Sequence, residues 1–259
     1  TIIEVLNLLS LGSTDKQTSQ SHAITGTPCD VPLPRIVTFI KYKFNFVKIY
    51  INYHYKSNKL INLLLEIINY MQENLILSSK QKALKINLDN SIYGSMVEIG
   101  AGQEVARQFF RAGSASGTIA KTMSAYDRNF SDAIYGKESN GRYVCESRLM
   151  NMINHEYKLL EDRLNQNENP DRRYFALANT VTTINYEKTN KGHGWVGVRF
   201  QKNPKENYND IILHVNLLDQ DSSLQQETIG ILGTNLLFAC FYCNEPREIL
   251  KTLYDNLNR

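Results

Sequence analysis

The sequence predicts an α/β fold, in which a mixed β-sheet carries flanking helices. Three observations predict it. A short strand, a glycine turn and an amphipathic helix follow one another between residues 93 and 112, which is a Rossmann-like arrangement. A helix with one apolar stripe is predicted from Tyr143 to Leu164. Three stretches of strand character then follow, joined by short loops, and these predict an antiparallel meander.

Composition and charge indicate an ordinary globular protein. Hydrophobic residues make up 42% and charged residues 21% of the 259 positions. The net charge of +3 is confined to residues 1–70, which hold seven Lys or Arg and four Asp or Glu, whereas residues 71–259 hold 22 of each sign. The larger part has no basic field of the kind that nucleic acids require, so no nucleic-acid partner is expected.

Residues 1–70 differ in composition from the rest of the chain. From Thr38 to Tyr70, 28 of 33 residues are Ile, Lys, Tyr, Asn, Phe or Leu, six types that share codons made only of A and T. We interpret residues 1–70 as a poorly structured extension, produced by translation upstream of a start at Met71. The alternative is a basic, aromatic arm that binds a membrane or nucleic acid. Lysines interrupt its apolar runs well short of about 18 residues, so no membrane span is expected.

Residues 71–259 are predicted to form the α/β domain. The alternation from Leu84 to Leu88 predicts a strand. A helix from Gln103 ends at Gly113, and a further strand leads to Asp127. The stretch from Arg128 to Gly141 is predicted to be an irregular connection.

The second half of this domain is predicted to hold three strands and two helices. The strands are Phe175–Tyr186, Gly194–Gln201 and Asp210–Leu218. Ser222 and Ser223 cap a helix that runs through Tyr242, and Pro246 opens the last helix. The pair Cys240 and Cys243 lies in an apolar run, which favours core packing over zinc or redox chemistry. Four scattered cysteines fit a reducing cytoplasm, and no metal site is expected.

The glycine turn is the main candidate for a ligand site. Gly100 and Gly102 are spaced as G-x-G, and Ala106 stands where the third small residue of a G-x-G-x-x-x-A variant falls. Glycine lets the chain turn out of a strand and lets backbone N–H groups approach a phosphate at a helix N-terminus. Asp127 is the candidate for holding a ribose hydroxyl, although it lies later than the usual distance of about 20 residues.

The turn also has an interpretation without a ligand. A buried strand before a nucleotide-binding turn is normally apolar throughout, whereas this one carries Gly94, Ser95 and Glu98. The glycines could therefore serve only the connection between strand and helix. Both interpretations stay open at the level of the sequence.

Two further residues are candidates for catalysis. His193 lies between Gly192 and Gly194, and an exposed histidine there suits a general base or a phosphate contact. The alternative is a hairpin turn in which His193 only faces water. Lys121 follows a Gly/Ser/Ala run and could reach an anion, or it could be a solvated strand residue.

Several of these segments together resemble an uncharacterised family of bacterial cytoplasmic proteins. The resemblance rests on Tyr93–Arg107, Gly117–Lys121 and Ser124–Asp127, with shorter matching segments at 134–136, 141–146 and 193–195. It covers about residues 71–259. Members of the family continue past the point that matches Arg259, so the resemblance implies that this chain is the N-terminal part of a longer protein.

Members of that family carry two transferred names, nicotinate-nucleotide adenylyltransferase and TonB-dependent receptor. A TonB-dependent receptor needs a signal peptide and about 22 amphipathic strands, which this sequence does not offer. Adenylyltransferases of that kind carry H-x-G-H or T-x-G-H, and the second histidine is missing from 192–194.

The glycine turn predicts a protein that binds a small nucleotide, and the resemblance implies a cytoplasmic protein. An adenylyltransferase-like reaction is implied by the transferred family name alone, because the resemblance says almost nothing about the reaction. The alternative is a non-catalytic binding or assembly module in which the glycines serve only the turn. Convergence of Asp127, Lys121 and His193 above the turn would favour the enzyme.

Overall fold

The structure is a computed structural model, and it describes residues 3–6, 76–139, 141–164 and 169–257. The prediction for residues 1–70 therefore lies, apart from 3–6, outside the described residues. The strands are β1 (Ile3–Leu6), β2 (Ile92–Gly100), β3 (Ile119–Ser124), β4 (Arg173–Thr182), β5 (Gly192–Gln201) and β6 (Tyr208–Leu217). The helices are α1 (Ser79–Asn87), α2 (Glu104–Ala112), α3 (Arg128–Tyr135), α4 (Glu146–Arg163), α5 (Ser222–Tyr242) and α6 (Pro246–Leu253).

The six strands form one mixed sheet in the order β1-β6-β5-β4-β2-β3. Strand β2 is parallel to both β3 and β4. Strands β4, β5 and β6 form the predicted antiparallel meander, and β1 is antiparallel to β6 at one edge. The α/β fold class predicted from the sequence is confirmed.

Helices cover both faces of the sheet. We call face A the face covered by α1, α2, α5 and α6, and face B the face covered by α3 and α4. The largest core cluster lies on face A, where α5 buries almost its whole length. On face B the apolar stripe of α4 places Leu149, Met152 and Ile153 against Val97 and Ala178. Each sheet face is therefore buried, as parallel strands require.

The two connections between the parallel strands run in opposite directions along the sheet, one on each face. The chain passes through α2 on face A to reach β3, and then through α3 and α4 on face B to reach β4, on the other side of β2. The carboxyl ends of β2 and β4 thus form a topological switch point, where loops diverge and leave a crevice in open α/β sheets.

The predicted strand Leu84–Leu88 is wrong, because these residues belong to α1 and its C-terminal cap. The helix starts at a capping box six residues before the alternating stretch. The Ser78 hydroxyl accepts a hydrogen bond from the Gln81 N–H at 3.3 Å, and the Gln81 side chain accepts one from the Ser78 N–H at 2.9 Å. The buried residues Lys82, Ala83 and Ile86 follow helical spacing.

The predicted irregular connection from Arg128 to Gly141 is wrong in its first part, which is α3. Asp127 caps this helix, since its carboxylate accepts a hydrogen bond from the Phe130 N–H at 2.8 Å. The completely buried Arg148 holds the loop that follows. Its guanidinium donates to Asp132 at 2.9 Å and to the Gly136 carbonyl at 2.7 Å.

The end of α5 confirms the predicted core packing of the two cysteines. Cys240 and Cys243 are buried free thiols, and burial raises the pKa of Cys240 well above its usual range. Although α5 has 21 residues, no helix within the described ranges is both long and apolar enough to cross a membrane.

Candidate functional site

The glycine turn between β2 and α2 is held tightly against β4. Gly100 has φ +83°, a conformation that favours glycine, and a Cβ there would overlap the Val181 carbonyl oxygen. A Cβ on Gly102 would overlap the side-chain oxygen of Asn179. The Ala101 N–H donates to the Val181 carbonyl at 3.1 Å. Both glycines are therefore required by the close approach of β4.

The start of α2 presents backbone donors at this turn. Within the described residues, no acceptor is recorded for the backbone N–H groups of Gly102, Gln103 and Glu104. The first N–H groups of a helix lack partners inside the helix and carry its positive dipole end, so they favour an anion. The Glu104 carboxylate lies in the same turn, but Arg107 pairs with it at 2.8 Å.

A crevice of about 320 Å³ opens directly above this turn, and we call it the switch-point crevice. The turn contributes three of its lining residues, and the end of β4 and the loop after it contribute three more. Tyr126 and Gln226 complete it from two sides. The lining residues are Gly100, Ala101, Gln103, Tyr126, Val181, Thr182, Thr183 and Gln226.

A polar layer lies beneath the crevice on face A. Glu98 precedes Gly100 by two residues on the same face of β2 and is 6% exposed. The Ser124 hydroxyl donates to the Glu98 carboxyl group, and the Gln103 amide contacts that hydroxyl at 3.4 Å and the Gly100 carbonyl at 2.6 Å. Burial raises the pKa of Glu98 to about 7, and the Ser124 hydrogen bond opposes part of that rise.

Asn179 lies beside Glu98 in the register of β4 and is 1% exposed. Its side-chain oxygen rests against Gly102 and has no hydrogen-bond partner within the described chain. Sequence reasoning missed both residues as parts of a site. The available signal was Glu98 itself, a carboxylate inside an otherwise buried strand. Nothing in the sequence could have indicated that Asn179 lies against Gly102.

Ala106 and Asp127 occupy different surroundings from the two glycines. Ala106 is buried in the core between α2 and the sheet, where a small residue allows close packing. Asp127 is exposed and its carboxylate caps α3. The role of Asp127 toward a ribose stays a prediction.

His193 is a strand residue rather than part of the turn before it. It is half-buried in β5 and lies opposite Thr182 of β4, next to the crevice lining. Its ring packs edge-on against His214 at 6.0 Å, and His214 stacks on Trp195 at 4.6 Å. Burial is the main cause that lowers the pKa of His193, and the neighbouring His214 adds to it. A neutral imidazole is therefore favoured.

Lys121 lies on face B, away from the glycine turn. Its ammonium pairs with the buried Glu156 of α4 at 2.6 Å. The structure therefore does not bring Lys121, Asp127 and His193 together above the turn. What it does bring together there is the α2 N-terminus, Glu98, Asn179 and the uncharged lining of the crevice.

Comparisons with known proteins identify distant structural neighbours. No protein-family model matches the chain, and no curated protein matches it. The chain is similar to the competence/damage inducible protein CihA from Agrobacterium tumefaciens, at 16% identity and a TM-score of 0.46, covering 64% of this chain and 98% of that one.

A second neighbour is a competence-damaged protein (CinA) superfamily protein from Enterobacter cloacae. It is 11% identical with a TM-score of 0.45, covering 64% of this chain and 94% of that one. The competence damage-inducible protein A (ComA) from Klebsiella pneumoniae is 8% identical with a TM-score of 0.42, covering 62% and 96%. With TM-scores below 0.5, these neighbours say nothing about the function of this chain.

Proposed function

We propose that this protein is a cytoplasmic nucleotide-binding protein that holds a phosphate-bearing ligand of mononucleotide size in the switch-point crevice. The observation that supports this most directly is the position of the α2 N-terminus. Its unpaired backbone N–H groups belong to the turn that lines a crevice at the carboxyl ends of β2 and β4. Phosphates bind at such helix starts because the N–H groups and the helix dipole both favour negative charge.

The size and charge of the crevice limit the ligand. A volume of about 320 Å³ is at the small end of the range for ligand pockets, which favours a mononucleotide over a dinucleotide. The described lining carries no charged side chain, so the phosphate is held by backbone N–H groups and neutral side-chain donors, and a monophosphate suits this better than a triphosphate. Tyr126 is 77% exposed at the rim and offers a ring on which a base can stack.

The adenylyltransferase-like reaction stays a finer prediction within this proposal. Glu98 is the group best placed for proton transfer, because its pKa of about 7 lets it exchange a proton near neutral pH. It lies one layer below the crevice, and Ser124 links it to the lining residue Gln103.

A non-catalytic binding or assembly module is the second candidate, and one specific observation favours it. Contact with Val181 and Asn179 already requires Gly100 and Gly102 to be glycines. The turn therefore has a sufficient structural reason without any ligand. The two candidates differ in whether a nucleotide stabilises the protein.

A thermal-shift experiment on the full chain tests the proposal. The compounds are nicotinate mononucleotide, ATP, the two together, NAD, NADP and S-adenosylmethionine. Substitution of Gly102 is unsuitable, because any side chain there would overlap Asn179. Thr183 lines the crevice, so Thr183→Asp and Thr183→Asn form a pair of nearly equal size that differs in charge. A phosphate ligand should bind the Asn variant clearly better than the Asp variant, because the added carboxylate repels it.

At 100 times its dissociation constant, one compound should raise the wild-type melting temperature by about 5–10 °C. Tyr126→Ala should reduce this shift, whereas Tyr186→Ala removes an equally large exposed ring away from the crevice and should not. Equal shifts for the Asp and Asn variants would show that no anion sits at the turn. If none of the compounds shifts the wild type, the turn is structural and the second candidate replaces the first.

A further inference from the structure

A second cavity lies on face B, between α4 and the amino-terminal halves of β2 and β3. We call it the face-B cavity, and its volume is about 300 Å³. The residues that decide its chemistry are Ser95, Lys121, Glu156, Tyr93, Leu159 and Arg163. It is separate from the switch-point crevice, which lies at the carboxyl ends of the parallel strands. We propose that the face-B cavity binds a small monocarboxylic acid with an apolar body.

Ser95 supplies the first reason. Ser95 lines the cavity and is 1% exposed, and its buried hydroxyl oxygen has no hydrogen-bond partner among the described residues. A buried hydroxyl without a partner is costly, so proteins normally satisfy it. A ligand oxygen in the cavity would accept from this hydroxyl.

Lys121 supplies the second reason, because it lies beside Ser95 on the neighbouring parallel strand. Its ammonium has three donors, and within the part of the chain that the structure describes it makes one contact, the ion pair with Glu156 at 2.6 Å. The other Glu156 oxygen accepts from the Tyr135 hydroxyl at 3.1 Å. Lys121 therefore keeps donors for an anion while its pairing with Glu156 holds it in place.

Charge around the cavity favours one negative charge on the ligand. Lys121 balances Glu156, and Arg163 adds a positive charge at the exposed end of α4. The buried Glu156 carboxylate lies close enough to the Lys121 ammonium to repel a dianion such as a phosphate monoester. A carboxylate has one charge and two acceptor oxygens, which matches one hydroxyl donor and one ammonium donor.

The remaining wall of the cavity is apolar. Tyr93 approaches from β2, and Leu159, Leu160 and Leu164 approach from the last turns of α4. Burial of an alkyl or aryl group against these side chains would supply the hydrophobic part of the binding free energy. The ligand is therefore an organic acid with a chain or ring attached to its carboxylate.

The experiment is a titration of the full chain with phenylacetate and hexanoate, followed by calorimetry or by NMR shifts. Phenylacetamide and hexanamide are the neutral matched probes, and acetate tests the head group without the apolar body. We expect phenylacetate or hexanoate to bind with a dissociation constant of about 1 mM or below. The amides and acetate should bind at least about tenfold more weakly, a difference of about 1.4 kcal/mol.

Ser95→Ala and Ser131→Ala form a matched pair of variants. Both serines are 1% exposed and have hydroxyl oxygens without recorded partners in the described chain, but Ser95 alone of the two lines the cavity. Ser95→Ala should weaken phenylacetate binding about tenfold, whereas Ser131→Ala should leave it unchanged. Leu159→Trp fills the cavity from α4 and should abolish binding in a protein whose folding is verified by its melting curve.

Three outcomes would overturn the proposal. Absence of binding by both long acids would show that the cavity does not take this class of ligand. Equal binding of acids and amides would show that Lys121 does not recognise a charge. Equal effects of the two serine substitutions would show that the Ser95 hydroxyl does not contact the ligand. A substitution of Lys121 alone is avoided, because it would leave Glu156 buried without its partner.

Discussion

At the scale of single residues, the contacts around the glycine turn explain why its sequence pattern was only partly informative. The spacing of Gly100 and Gly102 predicted a turn out of a strand, and the structure has that turn. The reason for each glycine lies in Val181 and Asn179, about 80 residues later in the chain. A contact of that kind depends on how β4 pairs with β2, which no local pattern encodes.

The burial of Glu98 should make the stability of the protein depend on pH. The pKa of Glu98 is raised to about 7 in the folded protein, so the folded state holds a proton that the unfolded state releases at lower pH. Stability should therefore fall as the pH rises from about 4.5 to about 7. Glu98→Gln removes this loss, because the amide has no charge to bury. Relative to the wild type, the free energy of unfolding of Glu98→Gln should increase by about 2–3 kcal/mol between pH 5 and pH 8.

Urea unfolding at several pH values measures this difference. Glu187→Gln is the control, since Glu187 is exposed and its replacement should leave the pH dependence unchanged. If the free energies of unfolding of Glu98→Gln and the wild type differ by the same amount from pH 5 to pH 8, the raised pKa is contradicted.

At the scale of elements, prediction from sequence worked where a pattern was long and failed where it was short. The stripe of α4 and the strands of the meander extend over ten or more residues, and they lie within a few residues of the predicted bounds. The five-residue alternation at Leu84–Leu88 was too short to distinguish a strand from the end of α1. Helix α3 was missed because Asp127 was interpreted as a ligand contact instead of an N-cap.

The stability of the protein should depend on the close contact between α2 and α5. A Cβ on Gly233 of α5 would lie 2.5 Å from a methyl group of Val105, so the two helices approach closely at this point. Gly233→Ala should destabilise the protein by about 1–3 kcal/mol through overpacking. Val105→Ala should also be destabilising, because it opens a cavity. The double variant should be destabilised by at least about 0.5 kcal/mol less than the sum of the two single variants, because the new methyl group fills the space that Val105 leaves.

Chemical denaturation of the four proteins in this cycle measures the coupling. Additivity within about 0.5 kcal/mol would show that the helices relax apart instead of sharing this space. Gly113→Ala would not serve as a control, because Gly113 has φ +88° and any side chain would be strained there.

At the scale of the whole molecule, the sequence predicted the list of elements better than their arrangement. Alternation and loop lengths were enough to predict that β4, β5 and β6 form a meander. The order β3-β2-β4 and the assignment of α2 to face A and α4 to face B follow from pairing between distant segments. The switch-point crevice and the face-B cavity both result from that arrangement, which is why neither could be located from the sequence.

A chain that begins at Met71 should fold without residues 1–70. The core residues identified in the described parts of the chain all lie at Leu77 or later. Because the composition changes at Met71, we expect removal of residues 1–70 to leave a folded chain, with a melting temperature within about 5 °C of the full chain, a difference of about 1–2 kcal/mol. The deletion removes β1, however, whose four residues pair with His214–Leu217 of β6. An uncovered strand edge invites pairing with a second molecule, so the shortened chain should self-associate more strongly as its concentration rises.

Calorimetry of the full and shortened chains measures the melting temperature, and light scattering of both chains measures self-association. A melting temperature lower by about 10 °C or more would show that residues 1–70 belong to the folded unit.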